Sequence, residues 1–192
     1  MKDYSSYFKG PSLSEAKKRR NDQVNRYDDA YYIPPDMVKA GVGKKYYIQT
    51  YGCQANERDS ETLSGILESM SYTACDDIKD ADVIILNTCA IRENAEEKVF
   101  GKVGYVKNLK KTNPDLIFGL CGCMAQEEVV VKRILEKHPH VDLIFGTHNI
   151  HRLPELLKEA LFNKEMVVEV WSKEGDVIEN TPVKRANKYK AW

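Results

Sequence analysis

Five cysteines stand at positions 53, 75, 89, 121 and 123. An odd number, in a chain that opens MKDYSSYFKG with no apolar leader, argues against a disulfide scaffold and for reduced thiols in the cytosol. Three of the five share a setting. Cys53 lies in QTYGCQAN, Cys89 in LNTCAIREN and Cys123 in GLCGCMAQE. Each follows a short apolar run and precedes an amphipathic stretch, so each is expected in a loop between a strand and a helix. The separations of 36 and 34 residues match one strand-helix unit or a little more. Such loops open at the same end of a parallel sheet, where three thiols can meet at one point. Gly52 and Gly122 directly precede two of them and let the backbone approach a bulky group closely. The helix that follows each cysteine favours negative charge at its N-terminus and lowers thiol pKa values. Thiolates are the soft ligands of iron–sulfur clusters and of zinc. Three with no obvious fourth point to a site with an open position, which is a catalytic geometry for zinc and leaves one iron free in a four-iron cluster. Buried structural thiols, or a single redox-active cysteine, are the other readings of the same spacing. Cys75, in a short strand, reads as structural. Cys121 would face the same side as Cys123 if the chain stays extended; packing is the favoured role, a spare ligand the alternative.

The elements that must position these loops are legible from Lys45 onward. KYYIQT (45–50) predicts a strand. Leu63, Ile66, Leu67 and Met70 recur at helical spacing and predict a helix over about 57–70. SYTAC (71–75) is a weaker strand, and DVIILN (82–87) a fully buried one. Residues 93–111 predict a helix with Val99, Val103 and Val106 inward and lysines outward, ended at TNPD. LIFGLC (116–121) predicts a strand, 125–137 a helix, VDLIFG (141–146) a strand and MVVEVW (166–171) a last one. Pro154 suits the first turn of a helix running to about 162. Continuous apolar strands alternating with helices predict a doubly wound α/β domain, flavodoxin- or Rossmann-like, with a mostly parallel sheet of about five strands covered on both faces. Ligands in such sheets bind beyond the carboxyl ends of the strands.

Composition narrows the class. The 192 residues carry 29 basic and 29 acidic side chains, with 42% hydrophobic and 30% charged residues. The longest apolar runs are about five residues, far from the roughly 20 of a transmembrane helix. Neutral charge argues against a nucleic-acid module that works by bulk positive charge. Residues 1–44 hold 9 basic and 6 acidic groups, 45–165 hold 15 and 19, and 166–192 hold 5 and 4. We read 1–44 as a charged arm, flexible or docked at the surface, with IPPDMVKAGVG as its linker. The tail after Trp171 has no apolar pattern. No GxxxxGK[ST] loop occurs, and Gly41-Val42-Gly43 precedes a strand instead of following one, so neither nucleotide fingerprint is present. His138, His140, His148 and His151 read as surface or capping residues.

YGCQANERDSE, LNTCAIRENAEEKVFGKVG and GLCGCMAQE, followed by VDLIFGTHNIHRLPELL, resemble the N-terminal domain of the methylthiotransferases. The resemblance covers about 45–170 and leaves 1–44 as an extension of some members. It implies that Cys53, Cys89 and Cys123 bind an auxiliary [4Fe–4S] cluster. In the family's third motif a glycine pair precedes the cysteine, and here Cys121 replaces its first member. The resemblance further implies that Gln54, Asn56, Asn87, Thr88 and Arg92 contact the cluster sulfurs or its ligand. Full enzymes of the family add a radical S-adenosylmethionine domain, with a second [4Fe–4S] cluster on a CxxxCxxC motif, and an RNA-binding module. No CxxxCxxC occurs here, so 171–192 reads as a linker toward a radical domain and no catalytic residue is expected in this chain. The wording favours the branch that adds a methylthio group to C2 of N6-isopentenyladenosine in the tRNA anticodon loop, over the branches acting on threonylcarbamoyladenosine or a ribosomal protein. The implied partner is tRNA, through the full-length enzyme, with no membrane. Two readings of other classes stay open: a doubly wound module for a small anion or nucleotide, and a docking domain with inert thiols.

Overall fold

The computed structural model describes residues 8–9, 31–89, 95–163, 165–171 and 181–185. The strands are β1 (Phe8–Lys9), β2 (Lys45–Tyr51), β3 (Thr73–Ala74), β4 (Val83–Thr88), β5 (Ile117–Gly122), β6 (Leu143–Phe145) and β7 (Val167–Trp171). The helices are α1 (Gln54–Ser69), α2 (Ala95–Thr112), α3 (Glu128–Lys137) and α4 (Leu153–Asn163). All strand pairs are parallel, in the order β1-β7-β6-β5-β4-β2-β3. The doubly wound fold is as read from the sequence. The sheet has seven strands where about five were expected: the two-residue β1 at one edge was not read from the sequence, and the weak strand expected over 71–75 shortens to the two residues of β3 at the other.

Side-chain alternation splits the core into two layers. On one face Ile85, Cys121, Leu143 and Phe145 pack against Leu63, Ile66 and Leu67 of α1 and Leu153, Leu156 and Leu157 of α4. On the other, Ile84, Leu86, Phe118, Leu120 and Ile144 pack against Val99, Val103 and Val106 of α2 and Val130, Val131 and Ile134 of α3. β4 is flanked by β2 and β5 with all six residues buried, which is why its sequence is continuously apolar up to Asn87.

The strand order sets the position of the site. From β2 the chain moves outward to β3, then crosses back to β4 on β2's other side. β2 and β4 therefore flank the point where the winding reverses, and their carboxyl-end loops part there to leave a crevice. Cys53 follows β2, Cys89 follows β4, and Cys123 follows the next strand, β5.

Two stretches that lack a sequence pattern are docked. Met37 is 2% exposed, and Tyr31, Ile33 and Ala40 pack beside it on the α1 face. Asp36 pairs with Lys158 of α4 at 2.7 Å. The stretch read as a linker thus closes one end of the core. In the tail, Lys184 N donates to Glu61 O at 3.0 Å, and its ammonium pairs with Glu68. Gly65 makes room for this strap, since a Cβ there would stand 2.5 Å from Pro182 O. Among the described residues no helix is long and apolar enough to cross a membrane.

Candidate metal centre

Cys53 is exposed and caps α1, Cys89 is 3% exposed, and Cys123 is half-buried. The three loops open at the same end of the parallel sheet. The thiol of Cys123 is pushed up first by burial, then by the nearby Cys89 and Cys53 thiols and by Asp59. Cys89 N donates to Tyr51 O at 2.9 Å, tying the β4 loop to the end of β2. The expectation of a lowered thiol pKa fails at Cys123. Its loop enters a short 3-10 turn, Cys123–Gln126, instead of the α-helix expected from about 125, so burial and neighbouring thiols outweigh the helix-end field. A soft cation reverses that balance by displacing the protons, which is how thiol sites couple metal binding to pH.

The other two cysteines separate from the site. Cys121 is fully buried in the α1 face of the core, and burial raises its thiol well above the ordinary range. It does not share a side with Cys123, because Gly122 between them adopts φ +97° and breaks the extension. Cys75 Sγ donates to the carbonyls of Tyr46 and Asp77 at 3.3 and 3.4 Å, a structural role.

Beneath the thiols, two buried amides lock β4 to α1. Asn56 Oδ1 accepts from Cys53 N at 3.2 Å and from Cys53 Sγ at 3.4 Å. Its Nδ2 donates to Asn87 Oδ1 at 3.0 Å and Thr88 O at 3.3 Å. Asn87 Nδ2 donates to Asn56 O at 2.7 Å and Ser60 Oγ at 3.0 Å. Ser60 Oγ also shares a 2.7 Å hydrogen bond with Thr50 Oγ1. Thr88 Oγ1 donates to Cys121 O at 2.7 Å, joining β4 to β5. Each amide has partners for both of its ends, so the network fixes which way each one points. Asn56, Asn87 and Thr88 thus join α1, β4 and β5 beneath the cysteines, and Asn56 bonds the Cys53 thiol. Gln54 is exposed on the first residue of α1. Arg92 lies outside the described residues.

Both glycines named from the sequence are sterically required. A Cβ on Gly52 would stand 2.2 Å from Asn56 Oδ1, and one on Gly122 would stand 2.2 Å from Thr88 O. Ser60 and Asp59 were missed. Ser60 gives no sequence signal, being an ordinary polar helix residue. Asp59 lies one turn beyond Asn56 on α1, a periodicity that would have flagged it.

Burial pushes the Asp59 carboxyl up to about 6, with Arg58 offsetting it only in part. Its charge is thus disfavoured in the fold. The cost is absent below the unfolded value near 3.8, grows between there and about 6, and levels off above. Asp59→Asn should therefore stabilise the iron-free chain by at most about 3 kcal/mol at pH 7.5. Melting curves of the two proteins should coincide near pH 3.5 and separate as pH rises.

Among the described residues no three Cys, His, Asp or Glu side chains are gathered to hold one metal ion. The Cys89 and Cys53 thiols nonetheless lie near enough to Cys123, at the crevice of the sheet, to act on it.

A family profile described as "Uncharacterized protein family UPF0004" matches residues 45–146. The chain is 61% identical, over its whole length, to the "tRNA-2-methylthio-N(6)-dimethylallyladenosine synthase" of Bacillus licheniformis, covering 38% of that protein. It is likewise 61% identical to the synthase of the same description from Bacillus subtilis, with the same coverage. That of Oceanobacillus iheyensis is 62% identical over 95% of this chain and 35% of its own length. The chain thus spans well under half of these curated relatives. The alignment to both Bacillus proteins covers the whole chain, residues 1–44 included, whereas the family profile begins at residue 45.

Proposed function

This chain belongs to the UPF0004 family, and on that premise we propose that it is the auxiliary iron–sulfur domain of a tRNA methylthiotransferase. Cys53, Cys89 and Cys123 hold a [4Fe–4S] cluster through three thiolates. The cluster, when bound, supplies an open iron at which the sulfur species destined for the substrate is held. The substrate is N6-isopentenyladenosine in a tRNA anticodon loop, the base also described as dimethylallyladenosine in the relatives' names. S-adenosylmethionine and a second cluster belong to a radical domain outside this chain.

The chain's own residues do the positioning. Asn56 fixes the Cys53 backbone and thiol, and Asn87 fixes Asn56. Thr88 and Gly122 set the distance between the β4 and β5 loops. The observation that carries the reading is the convergence of three thiols from three successive strand-helix loops at the winding reversal. An inert docking domain gives no reason for Gly122 to be squeezed against β4 directly before Cys123, nor for three cysteines at that end of the sheet. A module for a small anion or nucleotide gives no reason for soft donors there.

The test is a chimera in which this chain replaces the matching N-terminal 38% of the Bacillus subtilis synthase. In cells lacking their own enzyme, the chimera should restore the 2-methylthio group in digested tRNA, read by mass spectrometry. Cys89→Ala should reduce it to background, and methylthiolation that persists in this variant would overturn the reading.

A further inference from the structure

Helix α2 starts six residues after Cys89 and runs about 27 Å to the opposite end of the sheet. Between Lys98 and Lys111 it carries Lys98, Lys102, Lys107, Lys110 and Lys111 and no acidic residue, in a chain of zero net charge. Its outer face is open. Gly101 and Gly104 are exposed with nothing near a Cβ position, and Tyr105 beside them is 38% exposed with Lys102 Nζ 5.4 Å from its ring centroid.

At the far end α3 adds to the charge. Arg133 Cζ lies 3.9 Å from the Phe100 ring centroid, the Phe100 and His138 rings are 5.3 Å apart, and His138 meets His140 edge-on at 5.7 Å. Burial first, then His140, Arg133, Lys107 and Lys137 lower the His138 pKa, so these cations crowd one ring. His140 is lowered by burial and by Lys110 and Lys107, against its bond to Val103 O and the charge of Asp142. Asp142 is the acid within this cluster, and it is taken up by Lys110 at 2.6 Å and by Phe118 N at 2.7 Å. Lys107, Lys111 and Lys137 are exposed, and among the described residues none has a carboxylate partner.

Lysines at helix C-termini answer the helix dipole. That accounts for one or two on each helix, but not for five lysines between Lys98 and Lys111 with aromatic rings set among them; the acids of the two helices are Glu96 and Glu97 in the first turn of α2 and Glu128 and Glu136 on α3. Mutual repulsion of this kind is relieved by a polyanion, and rings among cations suit one whose bases and sugars lie between phosphates.

We propose that the outer face of α2 between Lys98 and Lys111, continued by Arg133 and Lys137 of α3, binds the phosphate backbone of a folded RNA. The inference rests on the tRNA reading above and adds a contact surface within this domain. Neutral overall charge hid the surface, because the acidic side chains gather elsewhere.

The test is fluorescence anisotropy of a labelled tRNA transcript with the 192-residue chain, over a range of salt. Wild type should bind, with affinity falling steeply as salt rises. K107E/K111E/K137E should bind at least tenfold more weakly, with a log–log salt slope shallower by about two to three. K39E/K79E, charge reversals away from the strip, should bind like wild type, and melting curves should show all three proteins folded. K107A/K111A/K137A gives the same direction should the charge reversal unfold. Equal binding by wild type and the strip variants, no binding at low salt, or preference for polyglutamate over tRNA at matched ionic strength would overturn the proposal. Iron loading of the same preparations keeps this failure distinct from failure of the cluster reading, since the strip variants should still take up iron.

Discussion

Replacing Gly122 with alanine should destabilise the chain by roughly 3–5 kcal/mol, from backbone strain and overpacking together. Against a typical stability of about 5–15 kcal/mol this lowers the melting temperature by about 10 °C or more. Gly122 holds φ +97°, which L side chains rarely adopt. A Cβ there would stand 2.2 Å from Thr88 O, 2.6 Å from Asn87 Oδ1 and 2.7 Å from Thr88 N. Two of these are backbone atoms of the strand paired with it, Thr88 being the register partner of Gly122. The third belongs to an amide pinned by Asn56 and Ser60. Relief therefore requires the ends of β4 and β5 to part, which moves Cys123 away from Cys89. Thermal unfolding measures the first effect. Iron uptake by the fraction still folded measures the second, and Gly122→Ala should fail it even below its melting temperature.

The second large effect separates the cysteines by role. Cys53→Ala, Cys89→Ala and Cys123→Ala should each lower reconstituted iron from about four per chain to near background, while the sheet and helices stay folded by circular dichroism. Cys75→Ala and Cys121→Ala should load iron as wild type does. Cys121→Ala should instead cost about 1 kcal/mol through the small cavity it leaves, since that side chain lies wholly inside the core. This contrast distinguishes an iron site from a group of reactive thiols. Alkylation would rank the cysteines by exposure and place buried Cys89 with Cys121, whereas iron uptake should place Cys89 with exposed Cys53.

The layered sheet was legible because burial on both faces leaves continuous apolar strands such as Val83–Leu86. The three loop cysteines were legible because parallel topology brings every strand-to-helix loop to one end. Other features were hidden for particular reasons. α1 begins at Gln54, three residues before the start expected from its apolar repeat, because Cys53 and Asn56 cap it by hydrogen bonds. The role of Asn56 and Asn87 follows from a contact across 31 residues, invisible to local pattern. Cys121 parts from Cys123 through one glycine torsion that the spacing of two does not reveal. Residues 31–44 and 181–185 dock through isolated contacts, Met37 in one and Lys184 in the other, with no periodicity to betray them.

The central claim is that Cys53, Cys89 and Cys123 hold one iron–sulfur cluster. Anaerobic reconstitution of the unmodified chain with iron and sulfide, followed by desalting, iron analysis and EPR after reduction, tests it most directly. The expected result is a brown protein with about four irons per chain and the signal of a reduced [4Fe–4S] cluster. A colourless chain that retains no iron would contradict it.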